Sequence, residues 1–462
     1  MSSHHIHYGI DLGTTNSAIA LVDRGTVTIL KNDFQHDTTP SAIHYTSRGI
    51  RVGQRARNQW FRERFRNSGA NDQEQNAFLE FKRTMGTDHR YRPSSRPDIA
   101  VSSEELSAEV LKGLLRFARL RGGAGAEAAV VTIPAAFRIP QQQATQKAAT
   151  LAGIEQCHLL QEPVAAAMAF GLEAEPGASA KWLVFDFGGG TFDAALVLAE
   201  EGQITVKDTE GDNRLGGKDL DLAVVVRLLW PEIAKQVSVE DLSEAGNEHL
   251  RQGLRQFAEG ALIALSTQDP YFIESDMGIR LGDSQEIDLD LQVSHDEIRP
   301  IVAPYFQRAI DKSNLLLQRN GLRGADLDEL VLVGGPTYLP ILRNMVADQL
   351  RPPNSSVDPM TAVARGAALY ASTVPLDGRI VARSLEQAGP NVLALVVEHE
   401  TTTINEEEFV TVRLRDPGVP TGSDRSRSSS GGKGGPANGW RSSQPEPSSR
   451  CCCRPAAPTP SR

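Results

Sequence analysis

Two short segments carry residue types suited to holding a polyphosphate. Gly9-Ile10-Asp11-Leu12-Gly13-Thr14-Thr15-Asn16 and Phe185-Asp186-Phe187-Gly188-Gly189-Gly190-Thr191-Phe192 share one pattern. Each is an apolar strand with a single Asp, then a glycine and threonine turn, then a second apolar strand. Such a turn presents backbone N–H groups to an anion; glycine allows close approach and threonine adds a hydroxyl donor. The Asp cannot take phosphate, since like charges repel, but it can hold the magnesium that neutralises one, often through water. Two copies about half a domain apart imply two related lobes that clamp a polyphosphate from both sides. The alternative is a pair of ordinary hairpins with glycine turns; the shared Asp-x-Gly core argues for the clamp.

Other chemistries find no support in the chain. There is no Ser-His-Asp candidate and no context for a cysteine nucleophile, and the glycine-rich stretches match neither a Walker P-loop nor a dinucleotide fingerprint. The adjacent Cys451, Cys452 and Cys453 lack the spacing of a zinc site, and with Cys157 alone in the body a reducing cytoplasm is expected.

The elements that must position the two turns alternate between strand and helix from residue 8 to about 372. Tyr8–Asp23 and Lys181–Leu198 read as strands broken by their turns. Ser102–Leu120 reads as a helix with Ser102 and Glu105 as a capping box. Further helices are predicted over Gln141–Ala152, stopped by Gly153, from Pro163 to near Gly171, and over Ile301–Asn320, Leu339–Leu350 and Thr361–Ser372. Glu329–Val333 is a predicted strand ahead of the Gly334-Gly335 turn. This alternation predicts an α/β class.

The 462 residues exceed one ordinary core, and the net charge of −10 argues against nucleic acid as the main ligand. From Asp416 onward seven Lys/Arg face three Asp/Glu, so the body is more acidic still. No apolar run is long enough to span a membrane, and Met1–His7 lacks a secretory pattern. Residues 416–462 are dominated by Ser, Gly, Pro and Arg and are expected to be disordered.

Six motifs in order extend the picture: Gly9–Ser17, Val131–Phe137, Glu162–Leu172, Phe185–Asp193, Arg214–Asp221 and Leu332–Pro340. In order and spacing they resemble the ATPase domain of the DnaK-type, seventy-kilodalton heat-shock chaperone family. The resemblance implies a two-lobed actin-like (ribonuclease H-like) ATPase fold over residues 1–372, with ATP or ADP and Mg2+ as ligands. It implies Asp11 and Asp186 as the metal-shell carboxylates. Thr14 and Thr15 become phosphate donors, with Gly13 and Asn16 beside them, and Gly188, Gly189 and Gly190 form the second phosphate turn. Lys82 would position the attacking water and γ-phosphate, Thr191 would lie near that phosphate, and Glu162 and Asp193 would orient or deprotonate water. Gly216, Gly217, Glu259, Ser266, Gly334, Gly335 and Tyr338 would contact the nucleotide.

The chain departs from the family where adenosine would sit. The family's clamp has Lys and Arg where this chain has Leu262 and Ile263, and Ser and Arg where it has Pro336 and Tyr338. The implied result is weaker or more apolar binding of the base. Gln142 replaces an Arg that couples the two halves of the family's proteins. Residues 373–415 are expected to be a linker and a remnant of a β-rich substrate-binding domain, ending in a truncation or frameshift near Asp416. The expected function is an ATP-hydrolysing chaperone-like protein acting on a client or co-chaperone. A nucleotide-dependent scaffold with little turnover is the alternative. A sugar or acetate kinase is disfavoured, because no insertion offers an acceptor site. Oligomeric state is left open.

Overall fold

The computed structural model describes residues 5–68, 74–120, 127–171, 179–200, 203–236, 238, 242–275, 279–281, 285–380, 395–398 and 411–414. The chain divides into two units. In the smaller, the description covers one antiparallel pair, Leu395–Glu398 with Thr411–Leu414. The tail from Asp416 and most of the expected remnant lie outside the described residues.

The larger unit, His4–Val381, is mixed α/β with several sheets. One sheet contains β1 (Tyr8–Asp11), β2 (Asn16–Asp23), β3 (Thr26–Ile29), β4 (Ala128–Ile133) and β5 (Gln156–Gln161), in the order β3-β2-β1-β4-β5. The first three strands are antiparallel, while β4 and β5 run parallel to β1. A second sheet repeats the device with β6 (Ser179–Phe187), β7 (Phe192–Glu200), β8 (Gln203–Asp212) and β9 (Glu329–Val333), in the order β8-β7-β6-β9. Again a hairpin precedes a parallel neighbour, β9 beside β6. In both sheets the Asp-bearing strand is flanked on each side, so its C-terminal end is held from two directions.

The longer helices are α1 (Gln54–Ser68), α2 (Ser103–Leu120), α3 (Ile139–Ala152), α4 (Glu162–Ala169), α5 (Gly217–Val224), α6 (Glu244–Ala264), α7 (His295–Arg319), α8 (Pro340–Gln349) and α9 (Ala362–Ala371). The expected box at α2 forms: Ser102 N donates to Glu105 Oε2 at 2.7 Å, and Glu105 N donates to Ser102 Oγ at 3.3 Å. Helix α7 starts six residues earlier than the sequence reading placed it. The start is Ser294, capped by Glu297 through bonds of 2.9 and 2.8 Å. Pro300 and Pro304 lie inside the helix on its exposed side, where water can satisfy the carbonyls their missing N–H groups leave free.

Separate apolar clusters anchor the two sheets. Ile10, Leu12 and Ile19 pack with Leu111, Leu114 and Leu115 of α2. Phe185, Phe187 and Phe192 pack with Phe306 of α7; the Phe187 and Phe306 rings stand edge to face at 5.5 Å. Burying a side chain of this size stabilises by roughly 1.5–3 kcal/mol. Phe187 is fully buried and directly precedes Gly188, so this cluster also fixes where the second turn emerges. A third cluster joins Val130, Val184 and Val331, from both sheets, to the alanine faces of α4 and α9.

Candidate functional site

A single cleft with a cavity volume of about 540 Å³ receives both glycine-threonine turns. Gly13, Thr14, Thr15 and Asn16 line it from the first sheet, and Gly188, Gly189, Gly190 and Thr191 from the second. The turns touch: a Cβ at Gly189 would lie 2.2 Å from Thr15 Oγ1. Each turn is internally braced. Ser41 Oγ donates to Gly13 O at 2.7 Å and Gly13 N donates to Ser17 Oγ at 3.2 Å. Gly188 N donates to Thr191 O at 2.9 Å. Gly189→Ala is therefore expected to push Thr15 aside, to weaken polyphosphate binding by roughly 10- to 100-fold and to cost about 1–3 kcal/mol of stability. Calorimetric titration beside a thermal melt would check this; unchanged affinity would show that the turns tolerate separation.

Asp11 and Asp186 sit at the C-terminal ends of β1 and β6 and line the same cleft. Thr132 Oγ1 donates to Asp11 at 3.1 Å. Asp193 pairs in register with Asp186 across the β6–β7 hairpin but does not line the cleft. All three carboxyls are pushed toward their neutral forms. Burial raises Asp11 to about 7, with Glu162 adding repulsion and Lys82 and Thr132 opposing it. Burial, then Glu162, Asp193 and Asp11, hold Asp186 well above the carboxylate range. Burial and Glu162 raise Asp193 to about 6, against the Thr191 hydrogen bond and Lys82.

That accumulation of uncompensated acid fits a divalent cation. Among the described residues no three His, Cys, Asp or Glu side chains converge as a cage. An ion here would therefore keep several waters and share its charge with phosphates, as Mg2+ does.

Lys82 enters from the short turn Phe81–Thr84, and Glu162 opens α4 at the end of β5. They meet across 80 residues of chain, Lys82 Nζ donating to Glu162 Oε1 at 2.9 Å. The Lys82 side chain is only 4% exposed, and its ammonium lies 5.5 Å from the centre of the Phe137 ring. Gln142 secures that segment by donating to Phe137 O at 3.0 Å.

The far end of the cleft is built from α6 and the turn after β9. Glu259, Leu262 and Ile263 lie on one face of α6, and Ser266 follows in the turn just past its end. Gly334 and Gly335 continue to Pro336 and Tyr338 opposite them. Gly334 has φ 92°, and a Cβ there would lie 2.2 Å from Phe187 O, so only glycine fits beside the second turn. Of the predicted site residues, Gly216 stays out of the cleft: it packs on Gly190, where a Cβ would meet backbone at 2.5 Å, and so supports the turn from behind. Gly217 does line it.

Sequence reasoning missed Lys218 and Arg255, both of which line the cleft. Lys218 Nζ donates to Glu80 at 3.0 Å, and the Arg255 guanidinium lies 3.7 Å from both Glu80 and Asp221. Arg255 precedes Glu259 by four residues on the same helix face, a spacing that could have flagged it. Arg57 of α1 was also missed; it pairs with Glu259 and ties the rim of the cleft together.

A family model described as "Hsp70 protein" matches residues 7–412. The chaperone protein DnaK of Mycoplasmopsis agalactiae is 31% identical over 412 residues, which is 87% of this chain and 66% of that protein. The chaperone protein DnaK of Metamycoplasma hominis is 31% identical over 84% of this chain and 62% of its own length. The chaperone protein DnaK of Thermotoga maritima is 35% identical over 79% of this chain and 59% of its own length. The matches thus span less than two thirds of these relatives. Among the described residues no helix is long and apolar enough to cross a membrane.

Proposed function

The chain belongs to the Hsp70 family, and from that premise we propose that residues 1–372 form an actin-like, two-lobed ATPase domain that hydrolyses ATP slowly and acts as a chaperone on a client protein or co-chaperone. The observation that carries this reading is the meeting of two Asp-Gly-Thr turns in one cleft, with the Lys82–Glu162 pair also lining it. Asp11 and Asp186 are the residues that would hold Mg2+, which when bound supplies charge neutralisation to the phosphates.

The remaining steps belong to the chain's own groups. Backbone N–H groups of the two turns, with Thr14 and Thr15, fix the phosphates. Lys82 places its ammonium against the terminal phosphoryl oxygens and holds the attacking water in line. Glu162, tied to Lys82, orients that water and receives its proton, while Asp193 acts from behind through its bond to the cleft-lining Thr191. Phosphoryl transfer to water needs positioning and charge stabilisation more than covalent chemistry, which is what these groups provide. A cytoplasmic location belongs to the same reading, Cys157 being a free thiol.

Calorimetric titration with Mg-ATP and Mg-ADP, followed by phosphate release on the same sample, tests the proposal. Binding with slow release is expected. Binding without release would remove the ATPase assignment, and absence of binding would remove the nucleotide assignment altogether.

The Arg57–Glu259 pair has a dynamic consequence, because it links α1 to α6 at the rim. Half-buried ion pairs of this kind contribute on the order of 1 kcal/mol. Arg57→Ala is expected to speed nucleotide dissociation about fivefold, measured by stopped-flow displacement of a fluorescent ADP. An unchanged off-rate would show that the rim does not gate release.

A further inference from the structure

We infer that Glu80 and Lys218 are positioning residues for Lys82: their ion pair ties the turn that carries Lys82 to the second phosphate turn across the cleft. This rests on the ATPase reading above and goes beyond it, since each side chain acts through Lys82 and not on the reacting atoms.

Lys82 sits in a turn of four residues, Phe81–Thr84. Phe81 is buried in the apolar cluster of the first sheet, which fixes the turn on one side. On the other side the turn is gripped by the segment that follows β8. Residues 80 and 83, which bracket Lys82, both reach that segment. Glu80 accepts from Lys218 Nζ at 3.0 Å, and Arg83 donates to Asn213 O. Arg83 also donates to Glu80 Oε2 at 3.3 Å, and the Arg255 guanidinium faces Glu80 Oε1 at 3.7 Å. Glu80 has φ 57° and ψ 17°, in the left-handed region that residues other than glycine seldom adopt. Such a conformation persists where its surroundings hold it, and here three cations hold the carboxylate.

The gripping segment is itself fixed to the second phosphate turn. Gly217 N donates to Gly188 O and Lys218 N donates to Gly189 O, both at 2.9 Å. Asp219 accepts from Gly216 N at 2.9 Å and holds the start of α5. A path therefore runs from Gly189 through Lys218 and Glu80 to Lys82, and on to Glu162 at 2.9 Å. Every link in it is a covalent step or a hydrogen bond of ordinary length. The lysine stem is flexible, so the place of its ammonium depends on where its turn is held. A misplacement of about 1 Å can cost about 100-fold in rate. Without Lys218, Glu80 is still answered by Arg83 and Arg255, so the loss falls on position and not on folding.

The experiment measures Mg-ATP affinity by calorimetry, phosphate release in a single turnover, and melting temperature. It uses the full chain as wild type, Lys218→Ala, Lys218→Arg, Glu80→Asn and the double variant Glu80→Asn with Lys218→Ala. Asn suits the left-handed backbone at position 80 while removing the charge. Lys218→Ala and Glu80→Asn are each expected to slow release about 10- to 100-fold, with affinity within about threefold of wild type. The double variant should be no slower than the slower single, as expected of two groups that act as one unit. Lys218→Arg, which keeps charge and reach, should restore release to within about threefold of wild type. Unchanged release in both single variants would overturn the inference, as would a loss of affinity that matches the loss of rate, or single effects that multiply in the double. Wild type that binds Mg-ATP and releases no phosphate would overturn the ATPase reading, and the positioning role with it.

Discussion

Lys82→Ala is expected to slow phosphate release by about 100- to 1000-fold while Mg-ATP affinity stays within about threefold, a loss typical of removing a preorganised charge from a reacting centre. The ammonium is buried, bonded to Glu162 at 2.9 Å, and acts electrostatically on Asp11, Asp186 and Asp193 together. The phosphate-holding turns are built from other strands and do not depend on it. A fall in kcat without a matching rise in Kd therefore separates a role in chemistry from one in binding. The substitution also leaves the half-buried Glu162 carboxylate without its partner, at a cost of about 1–3 kcal/mol. Lys82→Met with Glu162→Gln removes both charges, and should recover most of the melting temperature without recovering turnover. If the double variant hydrolyses ATP normally, the pair is structural.

Asp186→Asn is expected to stabilise the ligand-free protein and to abolish its stabilisation by Mg2+ and nucleotide. The reason is linkage. The folded-state pKa values of Asp11, Asp186 and Asp193 are raised, so the folded protein binds more protons than the unfolded chain, whose aspartates titrate near 3.9. Stability therefore falls as pH rises from about 4 through the folded values, about 6 for Asp193 and about 7 for Asp11. Well above pH 7 Asp11 and Asp193 carry their full penalty, of the order of a few kcal/mol. In wild type without ligand, raising the pH from 5 to 8 should lower the melting temperature by roughly 5 °C, and Mg-nucleotide should reverse the drop. Asp186→Asn should raise stability without ligand while leaving the Asp11 and Asp193 steps of the profile in place. A wild-type profile that is flat or rises over this range would show that the cluster is not strained, and with it the reason for a cation there would fall. This stability held back for function is a common signature of sites built to receive charge.

How much of this was legible follows from how local each signal is. The two turns were readable because an Asp-x-Gly core between apolar runs is a pattern of adjacent residues. The box at Ser102 and Glu105 was readable for the same reason. The equivalent box at Ser294 and Glu297 was passed over in favour of a start at Ile301; the exposed place of Pro300 on the helix shows why it is tolerated there. The pairing of Lys82 with Glu162 had no local signal, and Lys82 entered through resemblance to a family alone. Lys218 was missed because its significance lies in facing a cleft, and Arg57 because its partner Glu259 is far along the chain; Arg255 alone had a local signal, its spacing of four from Glu259.

By itself, then, the sequence determined the alternation of strand and helix and the chemistry of the turns, since periodicity and backbone freedom act over a few residues. It also determined the apolar character of Leu262, Ile263, Pro336 and Tyr338. Only the tertiary structure decided that the two turns touch at Gly189 and Thr15, that Lys82 meets Glu162 within reach of the fields of Asp11, Asp186 and Asp193, and that Tyr338, Ser266 and Glu259 are engaged by the protein's own groups. Those relations depend on which segments far apart in sequence are brought together by the two sheets, and charge, burial and hydrogen bonding at the site follow from that proximity.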